Sequence, residues 1–221
     1  MEASFWHERW EAGQIGFHNK EINPLLVNHI DKLELSPSIE SGARIFLPLC
    51  GKTIDFSYLM NLGYQVVGVE LSEIAIIELF QALKLTPNIS KVNELTLYQA
   101  EGIDVFVGDF FNLNEEILGA LIGDIDAVYD RASLVALPLQ MRKSYTQHLS
   151  KITNTVPQLT VTLEYDQSKM NGPPFSITEK ELTEHYDDVY SIDCLERNEI
   201  IGGIKGKTEG YESAWILKPL I

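Results

Sequence analysis

Two short apolar runs, Arg44–Leu49 and Gln65–Val69, each have the length of a strand buried on both faces, and between them Ile54, Tyr58, Leu59 and Leu62 recur at helical spacing. That order predicts a strand, a crossover helix and a parallel strand. Upstream, Phe5–Gln14 reads as a short amphipathic helix with Phe5, Trp6 and Trp10 to one side, followed by an irregular Gly16–His18 segment. Asn23 is placed to cap a second helix opening at Pro24, whose apolar residues are Leu26, Val27, Ile30 and Leu33. Residues 1–35 thus form an expected N-terminal helical lid. Further on, Ser72 is expected to cap a helix carrying Ile76, Ile77, Leu79, Phe80 and Leu83. Leu95–Ala100 and Ile103–Gly108 flank Glu101 and Gly102 as the arms of a hairpin. Ile125–Asp130 and Leu159–Tyr165 predict strands, Pro138–Lys151 and Thr178–Tyr186 helices, and Val189–Glu196 with Tyr211–Leu217 an antiparallel closing pair. The loop QSKMNGPPF is too rich in Gly and Pro for regular structure and suits a pocket rim. The expected fold is α/β: a doubly wound, mostly parallel seven-stranded sheet with helices on both faces, in a single domain over residues 1–221.

Composition narrows the choice of partners. A chain of 221 residues can bury about 70 % of its unfolded surface and needs no disulfide staples. Its two cysteines, Cys50 and Cys194, lie outside any CxxC pair, which suggests neither a disulfide framework nor a metal site and fits a reducing cytoplasm. His7, His18 and His29 lack ligand spacing, so no metal is expected. A net charge of −15 opposes nucleic acid phosphates and anionic membranes. For a small anion that repulsion is screened beyond roughly 8 Å, and cations inside a pocket matter more. The segment MEASFWHERW lacks the basic-then-apolar order of a signal peptide, and no apolar stretch has membrane-spanning length. These features lead to the expectation of a soluble, cytoplasmic, monomeric protein acting on a small molecule.

The stretch RIFLPLCGKTIDFSYLMNLGYQVVGVELS carries the chemistry. Ligands of open α/β sheets lie beyond the carboxyl ends of the strands, where Gly51 permits close backbone approach and Glu70 can accept hydrogen bonds from two ribose hydroxyls. A phosphate-binding loop ending in Gly51, Lys52 and Thr53 would need a glycine at Phe46, inside the strand, so the GKT match is accidental. A dinucleotide fingerprint from Gly51 would need glycines where Thr53 and Phe56 stand. S-adenosylmethionine has no phosphate and needs only the tight turn and the acid. An NAD-linked oxidoreductase and a non-catalytic S-adenosylmethionine or metalloid binder are the competing readings. Asp130 and Arg131 at a strand end read either as a solvated ion pair or as acceptor-side groups.

WHERW near the start, PLCGKTID, VVGVELSE, GDFF, YDRASLVALP and LEYDQSKMNGPPF follow in order at successive strand ends. In these motifs the chain resembles thiopurine S-methyltransferases, particularly the bacterial members, from about residue 4 to residue 197. The resemblance implies a Rossmann-like methyltransferase fold, S-adenosylmethionine as donor, and methyl transfer to a thiol or heavier chalcogen on a small molecule. Bacterial relatives are associated with selenium and tellurium detoxification. By resemblance Trp10 and the backbone around Leu49 contact the donor, Glu70 with Leu71 holds the ribose, Asp109 and Phe110 border the adenine, and Arg131 closes the site. Arg131 is expected to orient the sulfur nucleophile, with water or Asp130 as a weak proton acceptor. Phe17, Pro174 and Phe175 are expected on the substrate side, where Trp10, Phe17 and the Pro173–Phe175 loop would exclude water. Where relatives place an arginine-bearing stretch near the substrate, this chain has GGIKGKTEGYESAW, with Lys205 and Lys207 as its basic candidates, and lysine cannot reproduce a planar bidentate fork.

Overall fold

The structure, a computed structural model, describes residues 3–16, 18–35 and 42–220. Its α-helices are α1 (Ala3–Glu11), α2 (Pro24–His29), α3 (Asp55–Asn61), α4 (Glu73–Leu83), α5 (Glu115–Leu121), α6 (Leu139–Ile152) and α7 (Glu179–Tyr186). The strands are β1 (Arg44–Leu47), β2 (Gln65–Glu70), β3 (Asn88–Val92), β4 (Leu95–Ala100), β5 (Ile103–Val107), β6 (Ala127–Arg131), β7 (Gln158–Tyr165), β8 (Tyr190–Glu199) and β9 (Gly210–Pro219). They divide between two compact units, one of Met1–Asn23 and Leu35–Asp126, the other of Pro24–Glu34 and Ala127–Ile221.

In the first unit the strand order is β3-β4-β5-β2-β1. β1 and β2 pair in parallel with Phe46 opposite Val67, β2 and β5 in parallel with Glu70 opposite Val107, while β3, β4 and β5 form an antiparallel meander. The apolar runs behave as anticipated: Ile45, Phe46, Leu47, Val66, Val67 and Val69 are all buried, with Phe56, Leu59, Ile76 and Phe80 from α3 and α4 in the same core. Gly68 matters for this packing. A Cβ there would lie 2.9 Å from the Phe56 ring and 3.0 Å from Cys50 Sγ, so β2 accommodates α3 only because the side chain is missing.

In the second unit the order is β6-β7-β9-β8. β6 and β7 are parallel, and β9 pairs antiparallel with both β7 and β8, as expected of the closing pair. α2 belongs to this unit, where His29 Nε2 lies 2.7 Å from a carboxylate oxygen of Glu196 on β8. On the buried side of α6, Arg142 bonds the Leu137 carbonyl at 2.8 Å and pairs with Glu181 of α7. Trp215 on β9 donates to the Thr162 hydroxyl of β7 at 2.8 Å, which gives the buried indole N–H a partner.

The described residues contain nine strands; a seven-stranded sheet was expected, the segments named from the sequence number eight, and β3 is the strand without one. β3 has no fully buried side chain, so no apolar run marks it. α5 was also missed; its signal is Asn114, whose side chain accepts from Ile117 N–H at 2.9 Å. β1 stops at Leu47 rather than Leu49 because Leu49 turns into the left-handed region at φ 45°. Ser72 stands at the N-cap of α4 with no side-chain capping bond; its own N–H is used differently.

Candidate functional site

In the first unit, the carboxyl ends of β1 and β2 bring together most of the residues predicted to hold a donor. Glu70 is the last residue of β2 and only 7 % exposed. One carboxylate oxygen accepts Gly51 N–H at 2.8 Å and the other accepts Ser72 N–H at 2.9 Å. Burial raises its pKa, and these backbone donors, with that of Leu71, oppose the rise by stabilising the anion. The acid is therefore fixed in place by two turns. A carboxylate has roughly four lone-pair sites, so these backbone donors leave acceptor capacity for a ligand.

Leu49 and Gly51, at φ 45° and 54°, make the turn after β1. A left-handed leucine costs roughly 1 to 2 kcal/mol, and such strain gathers where a ligand needs the backbone held in an uncommon path. A Cβ on Gly51 would sit 3.4 Å from the Trp10 indole, so the buried Trp10 of α1 rests against this bare backbone. At the end of β5, Asp109 is exposed and accepts Phe111 N–H at 3.0 Å, which starts the short turn holding the buried Phe110. Leu71, half-buried, lies between Glu70 and Ser72. Asp55, buried in the first turn of α3, accepts Asn23 N–H at 3.0 Å. The helix start that would serve a pyrophosphate in a dinucleotide site thus already has a carboxylate against it.

In the second unit, Asp130 and Arg131 end β6. Asp130 is 1 % exposed, which does not fit the solvated ion pair weighed from the sequence. It accepts the Tyr145 hydroxyl of α6 at 2.8 Å, and burial pushes its pKa up to about 6 against the hydrogen bonds of Ser133 and Tyr145. Burial and the Asp130 charge raise the Tyr145 pKa well above its ordinary value. Arg131 is half-buried and leads into Ala132, another left-handed residue at φ 67°. The 167–177 loop is tied down from several sides. Tyr165 hydroxyl donates to the Pro174 carbonyl at 2.6 Å, Phe175 N–H to the Val135 carbonyl at 2.6 Å, and the Arg142 guanidinium stands 5.3 Å from the centre of the Phe175 ring. Lys205 donates to the Pro173 carbonyl at 2.8 Å. Phe17 lies outside the described residues.

Lys207 lines an open groove of about 610 Å³ with Arg197, Glu164, Tyr165 and Tyr211. Arg197 was missed from the sequence. It pairs with Glu164 and its guanidinium lies 4.2 Å from the Tyr211 ring centre, an association made by the register of three strands. No group of three or more potential metal ligands occurs among the described residues.

The sequence profile of the family described as thiopurine S-methyltransferase (TPMT) matches residues 1–215. The chain belongs to this family. A thiopurine S-methyltransferase of Teredinibacter turnerae is 47 % identical over 98 % of this chain and 97 % of that protein, and one of Gluconobacter oxydans is 44 % identical over 99 % and 96 %. Among solved structures, the 1,6-didemethyltoxoflavin-N1-methyltransferase of Burkholderia thailandensis, with bound 1,6-didemethyltoxoflavin and S-adenosylhomocysteine, is similar in fold at a TM-score of 0.64. It is 14 % identical and the match covers 98 % of this chain and 86 % of that one. This member of the thiopurine S-methyltransferase family therefore has the α/β methyltransferase fold, in which Glu70 ends β2, Gly51 follows β1 and Trp10 lies on α1.

Proposed function

We infer that this protein transfers a methyl group from S-adenosylmethionine to the sulfur of small aromatic or heterocyclic thiols such as thiopurines, and that selenium and tellurium species are further acceptors in detoxification. The family match supports the reaction class, and the observation that carries the donor reading is the buried Glu70 carboxylate beside the Gly51 turn and the Trp10 indole. The residues fit the donor. Glu70 has acceptor capacity left for a vicinal diol, the turn offers bare backbone, and an acid at the start of α3 replaces a phosphate cradle.

When bound, S-adenosylmethionine supplies a methyl on a positively charged sulfur. In this reading Glu70 takes the ribose hydroxyls, and Leu49, Gly51 and Leu71 supply backbone and apolar contact. Asp109 and Phe110 flank the adenine, and Trp10 offers an aromatic face that favours a cation by roughly 0.5 to 2 kcal/mol. On the acceptor side, Arg131 orients an anionic sulfur, and Phe17, Pro174 and Phe175 exclude water from it. Asp130, buried under the Tyr145 hydroxyl, fixes the strand end that carries Arg131; a proton of an already acidic acceptor leaves to water. Residues 1–35 act as the lid, and the protein works as a cytoplasmic monomer.

Calorimetric titration with S-adenosylhomocysteine, followed by a methylation assay across aromatic thiols, selenols and oxygen nucleophiles, tests this. Saturable binding and transfer to thiols are expected. Binding of NADH in place of S-adenosylhomocysteine would reject the donor, and binding without transfer to any chalcogen would leave a sequestering protein.

A further inference from the structure

Of the GKT triplet, Gly51 makes the turn and the Thr53 hydroxyl accepts Asp55 N–H at 3.3 Å; the surroundings of Lys52 give it a role as well. Its ammonium stands 5.8 Å from the centre of the Trp10 ring and 2.5 Å from the Glu78 carboxylate of α4. Trp10 touches the bare backbone of Gly51, the residue before Lys52, and α1 packs against α4. Trp10 is also the only buried residue of α1, and a nine-residue helix has little stability apart from such contacts. The position of α1 therefore depends on how this one indole is seated.

We propose that Lys52 is a positioning residue for donor binding: its ammonium, anchored by Glu78, holds the Trp10 ring against the Gly51 turn and latches α1 over the donor site. This rests on the donor reading given above. The cation acts through the ring and not on the donor itself, so its loss weakens every ligand that needs the seated indole, with or without an amino-acid portion.

The test is calorimetric titration of S-adenosylhomocysteine and of 5′-methylthioadenosine, which lacks the amino-acid portion, into the wild type and the Lys52→Met, Lys52→Arg and Glu78→Gln variants. Lys52→Met is expected to weaken both ligands about fivefold, the size of one cation–π contact, with Lys52→Arg restoring most of the loss and Glu78→Gln losing part of it. In turnover, KM for the donor rises by the same factor while kcat and the acceptor KM hold. Unchanged affinity in Lys52→Met overturns the latch, and so does a loss confined to S-adenosylhomocysteine, which would mean that Lys52 meets the amino-acid portion directly. Should Lys52→Met not fold, undiminished affinity in Glu78→Gln overturns it instead. A wild type that binds neither ligand removes the donor reading itself, whereas a wild type that binds both, matched by Lys52→Met, removes only the latch.

Discussion

Glu70 serves two ends with one carboxylate. Its oxygens hold the Gly51 and Ser72 amides, and removing them leaves two backbone donors unmet as well as a ligand contact. Glu70→Ala should weaken S-adenosylhomocysteine by about 1 to 3 kcal/mol in calorimetry and also lower the unfolding free energy by a comparable amount. Unchanged affinity would remove the ribose role. Asp130 gives a pH signature. Its carboxyl titrates near 6 in the folded chain and near 3.9 when unfolded, so between these values the native state holds more protons. Stability from this group is complete below about pH 4 and is lost as pH rises through about 6, a swing on the order of 3 kcal/mol. Denaturant midpoints measured across that window should fall with pH in the wild type relative to Asp130→Asn, in which this contribution is flat. Parallel curves would place the titration elsewhere.

At the level of elements, the strand–helix–strand unit was legible because each part leaves a mark in the residue order. The buried runs of β1 and β2 are apolar, the turn has its glycine, and the acid ends β2. The same clarity produced the hairpin of β4 and β5 and the antiparallel pair of β8 and β9. What escaped is either exposed or made by distance in the chain. β3 lies at the sheet edge with its side chains largely exposed, and Arg197 reaches Glu164 and Tyr211 only through strand register. Nor does the sequence announce that Leu49 and Ala132 are left-handed, since neither residue type favours that conformation. Gly68 looks like an ordinary strand residue from its neighbours, yet it sets the spacing of α3 on β2. Gly68→Val should reduce the unfolding free energy by about 1 to 3 kcal/mol, through overpacking against Phe56 and Cys50. A denaturant midpoint equal to the wild type would show that α3 has room to move.

For the whole molecule, a net charge of −15 sets a field that disfavours anionic acceptors at long range, and salt should relieve it. The chemistry asks for an ionised sulfur all the same. The rate is therefore expected to follow each acceptor's own ionisation, so that the midpoint of the pH–rate profile moves with the acidity of the thiol. One midpoint shared by thiols of different acidity would instead assign the step to a group on the enzyme.

The early helix α2 is grouped with residues made much later, and His29 meets Glu196 across a separation of 167 positions. During synthesis at ordinary speeds that partner leaves the ribosome on the order of ten seconds after the helix does. In that interval α2, which packs on both β7 and β9, still lacks β9, so Leu25 and Leu26, which the finished protein hides, are covered only in part. Nascent chains halted before β8 should accordingly be cut by proteases near residues 24–34, and full-length chains should resist.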